Sequence, residues 1–347
     1  MADPIGIEIR NLYKIFGPDA DRLMAKVREG MTKAELNDRH HHVLGLNNIN
    51  ITMPAGQIQV IMGLSGSGKS TLIRHINRLI DPTAGEVLVG GENVVTMSPD
   101  ALRAFRRHKT AMVFQKFALL PNRTVLENTC YGLEIQGVPQ AKRVEQAMRW
   151  IERVGLKGFE TKYPNQLSGG MQQRVGLARA LSNDAPILLM DEAFSALDPL
   201  IRVDMQSVLL DLQKEIRKTV VFITHDLDEA LRLGDRIAIL RDGEIIQQGS
   251  SQDIVLRPAD AYIESFVREV NRGRVIRADA AMARLDEAAV PAVSVAGSAT
   301  LEDAGRLMVE SGSTRVAVTD DQTGRAIGLL SMETILKAMT LKSAPVQ

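Results

Sequence analysis

Short apolar runs recur along the chain at the spacing a layered α/β protein needs. IEIRNLY (7–13) and QIQVIMG (57–63) read as strands. ILLMDE (187–192), VVFITH (220–225) and RIAIL (236–240) are apolar or β-branched runs of the kind a parallel sheet buries on both faces. Helical periodicity lies between them. In KSTLIRHINRLI, the residues Leu72, Ile73, Ile76, Leu79 and Ile80 fall on one face of a helix predicted over 69–80. Strands alternating with helices predict an α/β sandwich. The stretch from about 100 to 180 is mostly helical, with PNRTVLENT and YPNQLSGG as loops, and reads as a helical insert in that core. A polar insert between Phe16 and Val43 is predicted helical around 20–38. After Pro258 the pattern changes. AYIESFVREVN (261–271) reads as a helix, followed by an Ala-rich, weakly patterned stretch to 290. PAVSVAG, TLEDAGRLMVESG, RVAVTDDQTGRAIGLLS and METILKAM then predict strand, helix, hairpin and helix. Thr300 with Asp303 forms a capping-box pattern, and Gln322-Thr323-Gly324 a hairpin turn.

Composition narrows the class. A chain of 347 residues exceeds one simple core, so two or three folded units are expected. No apolar run approaches the roughly 20 residues of a membrane-spanning helix, and MADPIGIEIRNLYKIFG lacks the basic start and apolar core of a secretion signal. The formal net charge of zero gives no general reason to expect nucleic acid or an anionic membrane as partner. The single cysteine, Cys130, has no internal disulfide partner, which fits a reducing, cytoplasmic setting. The run His40, His41, His42 has no accompanying Cys or acidic cluster and is assigned no metal.

GLSGSGKS (63–70) matches G-x-x-x-x-G-K-[ST] in full, between a strand and a helix where the chemistry needs it. Gly63, Ser65, Gly66, Ser67 and Gly68 wrap backbone N–H groups around phosphates, and the helix N-terminus adds partial positive charge. Lys69 is expected at the β- and γ-phosphates, Ser70 on Mg²⁺ and Thr71 on phosphate. ILLMDE ends a buried strand with two carboxylates. Asp191 is expected to hold the metal through water. Glu192, on the other face by strand alternation, is placed to polarise an attacking water.

Together these pieces resemble the ATP-binding subunits of ABC transporters, with the P-loop NTPase fold, over about residues 5–255. LSGGMQQR resembles that family's signature motif. The resemblance implies that Gln115 touches Mg²⁺ and the lytic water, that Ser195-Ala196-Leu197-Asp198 is the D-loop, and that His225 hydrogen-bonds the γ-phosphate. Phe16 stands where the family places an aromatic that stacks on adenine. It also implies a head-to-tail homodimer with ATP sandwiched between subunits. Ser168, Gly169 and Gly170 of one copy then cap the γ-phosphate held by Lys69 of the other.

The polar insert, VIMGLSGSGKSTLIR, MVFQKFALLPNRTVLENT and LLMDEAFSALDPLIR resemble the quaternary-amine uptake branch, whose members import glycine betaine, proline betaine, choline or proline. The implied partners are a membrane permease, docked near Phe117 and Leu119-Leu120-Pro121, and through it a substrate-binding protein. The implied location is the cytoplasmic face of the membrane. The competing reading is a soluble ABC-type ATPase acting on nucleic acid or ribosomes. Members of that class often carry two cassettes or a long coiled-coil insert, and neither is present here. Residues 291–340 resemble a single CBS motif, with Thr334 where the ribose-binding stretch often has Asp. The expected organisation is an ATPase domain over 1–260 with its helical subdomain, a linker helix over 261–274, and a small α+β CBS-like regulatory module over 275–347.

Overall fold

The computed structural model describes residues 3–115, 117–285 and 291–340. The last residues of the weakly patterned stretch, 286–290, and the end of the CBS-like module, 341–347, lie outside the described residues. Two compact units emerge, Met1–Ile246 and Gln247–Gln347.

The first unit opens with β1 (Ile7–Phe16), the short helices α1 (Met24–Arg28) and α2 (Lys33–His40), and β2 (Val43–Met53). The polar insert is therefore two helical pieces where sequence predicts one. Gly30 separates them with a φ of 103°, and Thr32 and Glu35 form a capping box that starts α2 afresh. Val27, Met24 and Leu36 pack on Tyr13, Ile15 and Leu44, one face of the β1–β2 pair. Next come β3 (Ile58–Met62), α3 (Lys69–Ile76), β4 (Ala84–Val89), β5 (Glu92–Asn93), α4 (Pro99–His108) and β6 (Thr110–Phe114). The helical subdomain follows as α5 (Val125–Ile135), α6 (Gln140–Arg153) and α7 (Gly169–Ser182). Then β7 (Ile187–Asp191), α8 (Pro199–Ile216), β8 (Thr219–Thr224), α9 (Leu227–Leu233), β9 (Arg236–Arg241) and β10 (Glu244–Gly249) complete the core.

A six-stranded sheet runs β10-β9-β3-β8-β7-β6, and a second sheet runs β2-β1-β4-β5. The pairs β9–β3, β3–β8, β8–β7 and β7–β6 are parallel. Every residue of β3, β7 and β8 is buried, as continuous apolar runs covered on both faces require. α3 lies in the core between the sheets with Leu72, Ile73 and Ile76 fully buried. It stops at Ile76, short of the predicted end, because Arg78 turns the chain at a φ of 50°. Leu79 consequently leaves the predicted apolar face and is 50% exposed. The region from 100 to 180 is likewise not all insert. β6 returns to the main sheet, and the helices that leave it are α5 to α7.

In the second unit, α10 (Ser251–Leu256), α11 (Ala261–Val267), α12 (Arg272–Val275) and α13 (Ala278–Ala281) precede β11 (Ala283–Arg284), β12 (Ser294–Ala296), α14 (Leu301–Ser311), β13 (Arg315–Thr319), β14 (Ala326–Ser331) and α15 (Met332–Thr340). Its sheet has the order β11-β14-β13-β12. The capping box at Thr300 and Asp303 starts α14, and Gly324 lies in the β13–β14 turn with a φ of 67°. The Ser331 hydroxyl meets the Thr334 hydroxyl at 2.9 Å and accepts the Thr334 N–H, so this pair caps α15.

His75 gives α3 an acid-sensitive point. Its Nδ1 donates to the Thr71 carbonyl at 2.7 Å, and its Nε2 is buried. Burial lowers its pKa from 6.5 to about 4. The unfolded chain therefore binds the proton first, between about pH 6.5 and 4, and stability falls as pH drops through that window by up to about 3 kcal/mol. Urea midpoints followed by the fluorescence of Trp150, the one tryptophan, should show a shallower loss over this range for His75→Gln than for the parent. Parallel curves would place the acid sensitivity elsewhere.

Candidate functional site

Parallel register brings the functional residues to one edge. Met62 pairs with Thr224, Ile223 with Asp191, and Asp191 with Phe114. The residues that follow these pairs are Gly63, His225, Glu192 and Gln115, so four consecutive strands deliver them to the same C-terminal side of the sheet.

The phosphate loop connects β3 to α3. Gly66 and Gly68 have φ of 78° and 106°, conformations L side chains avoid. A Cβ on Gly68 would lie 2.7 Å from the Gly45 carbonyl oxygen, and one on Gly63 would lie 2.3 Å from that of Leu240. The loop is thus pressed between neighbouring backbones. Ser65 stands exposed at its turn. Ser67 is buried, and its hydroxyl has no hydrogen-bond partner among the described residues. Lys69 is 4% exposed, and its Nζ donates to the carbonyls of Gly63 and Leu64 at 2.8 and 2.9 Å. Burial pulls its pKa down, while Glu192, with Oε1 at 3.7 Å, opposes that shift. A buried ammonium and a partnerless hydroxyl in a glycine loop at a helix N-terminus fit an oligophosphate.

Both carboxylates meet the first turns of α3. The Ser70 hydroxyl donates to Asp191 Oδ1 at 2.8 Å, and Arg74 pairs with Oδ2 at 3.3 Å. Strand alternation predicts Glu192 on the opposite face. The chain turns left-handed there, at a φ of 46°, and the Glu192 carboxylate lies beside Lys69. Glu192 Oε2 then lies 3.2 Å from Gln115 Nε2 and 3.5 Å from His225 Nδ1. Gln115 also donates to the Ser195 hydroxyl at 3.2 Å, and that hydroxyl donates to the Glu192 carbonyl at 2.9 Å. Six expected residues therefore converge: Lys69, Ser70, Asp191, Glu192, Gln115 and His225. A hydroxyl and a carboxylate in contact, with an amide nearby, are hard oxygen donors suited to Mg²⁺.

Sequence reasoning did not assign Arg74 to the site, and it named Ser195 only as the first residue of the D-loop, without a contact. Arg74 follows Ser70 by one helical turn, a spacing that places both on one face. The contact of Ser195 with Gln115 gives no such signal, because the two lie 80 positions apart.

The other expected residues stand apart from this cluster. Thr71 is half-buried in the first turn of α3, with its carbonyl accepting from His75. Phe16 is 39% exposed, and a Cβ on Gly45 would lie 2.6 Å from its ring, so the ring rests over bare backbone. Lys14 Nζ lies 5.1 Å from its centroid. Ser168 caps α7 by accepting the Met171 N–H at 3.3 Å, and Ser168 and Gly169 are exposed. Gly170 faces Ile201 of α8 closely. Asp198 caps α8 by accepting the Ile201 N–H at 3.1 Å. None of the hydrogen bonds or ion pairs among the described residues joins Ser168, Gly169 or Gly170 to the phosphate loop of the same chain.

Gly68→Ala should weaken ATP binding by roughly 10- to 100-fold, because the left-handed cap and the Gly45 carbonyl both oppose a side chain there. Titration of a fluorescent ATP analogue, with urea unfolding as the control for folding, measures this. Parent-like affinity would show that the loop tolerates a Cβ.

The profile of the ABC transporter family matches residues 46–195, and that of the CBS domain matches residues 285–341. The glycine betaine transport ATP-binding protein OpuAA of Bacillus subtilis is 54% identical over 283 residues, covering 82% of this chain and 68% of that protein. The trimethylamine N-oxide transport system ATP-binding protein TmoW of Ruegeria pomeroyi is 42% identical over 342 residues, covering 97% of this chain and 99% of that one. The dimeric structure of MJ0796, a bacterial ABC transporter cassette, matches with a TM-score of 0.60 at 34% identity, over 71% of this chain and 98% of that one. With its phosphate loop, carboxylate pair and signature helix arranged on this sheet, the chain belongs to the ABC transporter family, among its ATP-binding subunits, and carries a CBS domain.

Proposed function

We propose that this chain is the ATP-hydrolysing subunit of an importer for a small quaternary-amine osmolyte, working as a head-to-tail pair. One observation carries the reading: Glu192 Oε2 is held by Gln115 and His225 while its other oxygen faces the buried Lys69 ammonium. A carboxylate pinned on three sides next to a phosphate-binding lysine is placed to orient a water for attack on the γ-phosphate.

The loop from Gly66 to Lys69 would hold the β- and γ-phosphates, and Lys69 Nζ would neutralise charge as it grows on the equatorial oxygens. Ser70 and Asp191, with Gln115 beside them, would hold Mg²⁺, which neutralises the same oxygens. Glu192 aligns the water and takes its proton, and His225 steadies the γ-phosphate. Phe16 offers its ring to adenine above Gly45. Ser168, Gly169 and Gly170 begin a helix whose exposed N-terminus closes the γ-phosphate of the facing subunit. ATP therefore joins the two copies until hydrolysis removes that contact.

Among the described residues no helix is long and apolar enough to cross a membrane. Closure is accordingly passed to a separate permease on the cytoplasmic side, which receives substrate from a binding protein. A groove lined by Leu79, Phe114, Ala118, Leu120, Tyr131 and Ile135 lies between β6 and the helical subdomain and suits an amphipathic permease helix. Glycine betaine and trimethylamine N-oxide, the cargoes named for the relatives, share a methylated, cationic nitrogen. The CBS domain is assigned a regulatory, dimerising role.

Glu192→Gln should lower hydrolysis by roughly 100-fold or more and, with ATP but not ADP, sediment as a dimer. An ATP-saturated lone subunit would sink the head-to-tail scheme. Deleting the gene should abolish uptake of labelled glycine betaine or trimethylamine N-oxide, and unchanged uptake of both would exclude this substrate class.

A further inference from the structure

Arg179 is costly where it stands. It lies half-buried on α7, burial pulls its pKa down, and no acidic side chain figures among the charges acting on it. Its guanidinium instead donates to two backbone carbonyls, that of Ala118 at 2.7 Å and that of Phe117 at 3.1 Å. Those residues are themselves unusual. Phe117 and Ala118 are consecutive non-glycine residues in the left-handed region, with φ of 54° and 47°. Such conformations persist where the surroundings over-determine them.

The surroundings here are one-sided. Phe117 and Ala118 are held by α7, and Leu120 is held by Asn128 of α5, whose side chain both accepts the Leu120 N–H at 2.8 Å and donates to its carbonyl at 3.1 Å. A Cβ on Gly169 would lie 3.7 Å from the Phe117 ring, and one on Gly176 would lie 3.8 Å from its carbonyl. Gly169 and Gly176 of α7 therefore face this turn at ordinary contact distance. Just before this turn, Gln115 reaches the other way, to Glu192 and Ser195 at 3.2 Å. The amide that steadies Glu192 therefore stands two positions before a left-handed pair whose carbonyls are fastened to α7.

We infer that Arg179 is a positioning residue for Gln115: by bonding the Phe117 and Ala118 carbonyls it holds the left-handed pair on α7 and so fixes the reach of the Gln115 amide to Glu192. The guanidinium fork serves two adjacent carbonyls at once, which a single ammonium does with poorer geometry. Because α7 also begins at Ser168, the clamp ties the Gln115 turn to the helix that presents the second phosphate grip.

This inference rests on the ATPase reading, and steady-state hydrolysis of Mg-ATP by the full chain separates the two. Gln115→Ala, Arg179→Lys, Arg179→Ala and the Arg179→Ala/Gln115→Ala pair are compared, with melting temperatures measured alongside. Arg179→Ala is expected to lower kcat by roughly 10- to 100-fold with little change in the KM for ATP, and Arg179→Lys to fall between it and the parent. In the Gln115→Ala background the arginine substitution should cost nothing further, since the two act through one amide. Should Arg179→Ala fail to fold, Arg179→Lys combined with Gln115→Ala provides the same cycle. Parent-like kcat in Arg179→Lys, or losses that multiply in full in the pair, would overturn the inference while a slow Gln115→Ala leaves the ATPase reading standing. Normal turnover in Gln115→Ala would overturn the inference and leave the ATPase reading standing, whereas a parent chain that hydrolyses no Mg-ATP would overturn that reading.

Discussion

The buried charge on Lys69 organises the site. An ammonium with 4% exposure cannot rely on water, so the fold surrounds it with two loop carbonyls and the Glu192 carboxylate. Desolvation makes that charge strong toward an oligophosphate, and the glycines at 66 and 68 let the backbone close around the same point. Replacing this cluster with apolar residues would suit the sheet but leave nothing to recognise phosphate. The core accepts a charge at its edge because chemistry needs one there.

Everything else at the edge is arranged by register. Parallel pairing of β3, β8, β7 and β6 sets Gly63, His225, Glu192 and Gln115 side by side although they lie far apart in sequence. Conformational strain then refines what register makes approximate. Glu192 is left-handed beside Lys69, and Phe117 and Ala118 are left-handed where Arg179 of α7 holds their carbonyls. These are positions where local preference loses to tertiary contact, and all three adjoin the proposed chemistry.

The separation of the two phosphate grips has the same logic. Lys69 belongs to the sheet core, whereas Ser168 begins a helix of the helical subdomain and spends its hydroxyl on its own cap. On the head-to-tail scheme proposed above, a pocket divided between two subunits would close only when they meet, which would make nucleotide binding and subunit association one event. Fastening the Gln115 turn to α7 through Arg179 gives each body a stake in the other's geometry.

The sequence by itself determined the elements whose cause is local. Continuous apolar runs located the buried strands, the glycine-rich motif located the phosphate loop, and the Thr300–Asp303 spacing located a helix start, because each depends on neighbours within a few residues. Tertiary structure decided where local rules compete. Periodicity carried α3 through Leu79, but the chain leaves the helix at Ile76 and exposes that leucine. Alternation placed Glu192 no further than the strand end at Asp191, and its left-handed turn and its partners Lys69, Gln115 and His225 came only with the tertiary structure. The bond of Ser70 to Asp191 spans 121 positions and that of Arg179 to Ala118 spans 61. No periodic signal carries across such distances. Those partnerships exist only once strand order and helix packing have brought the two ends together, and the chemistry assigned to this chain depends on them.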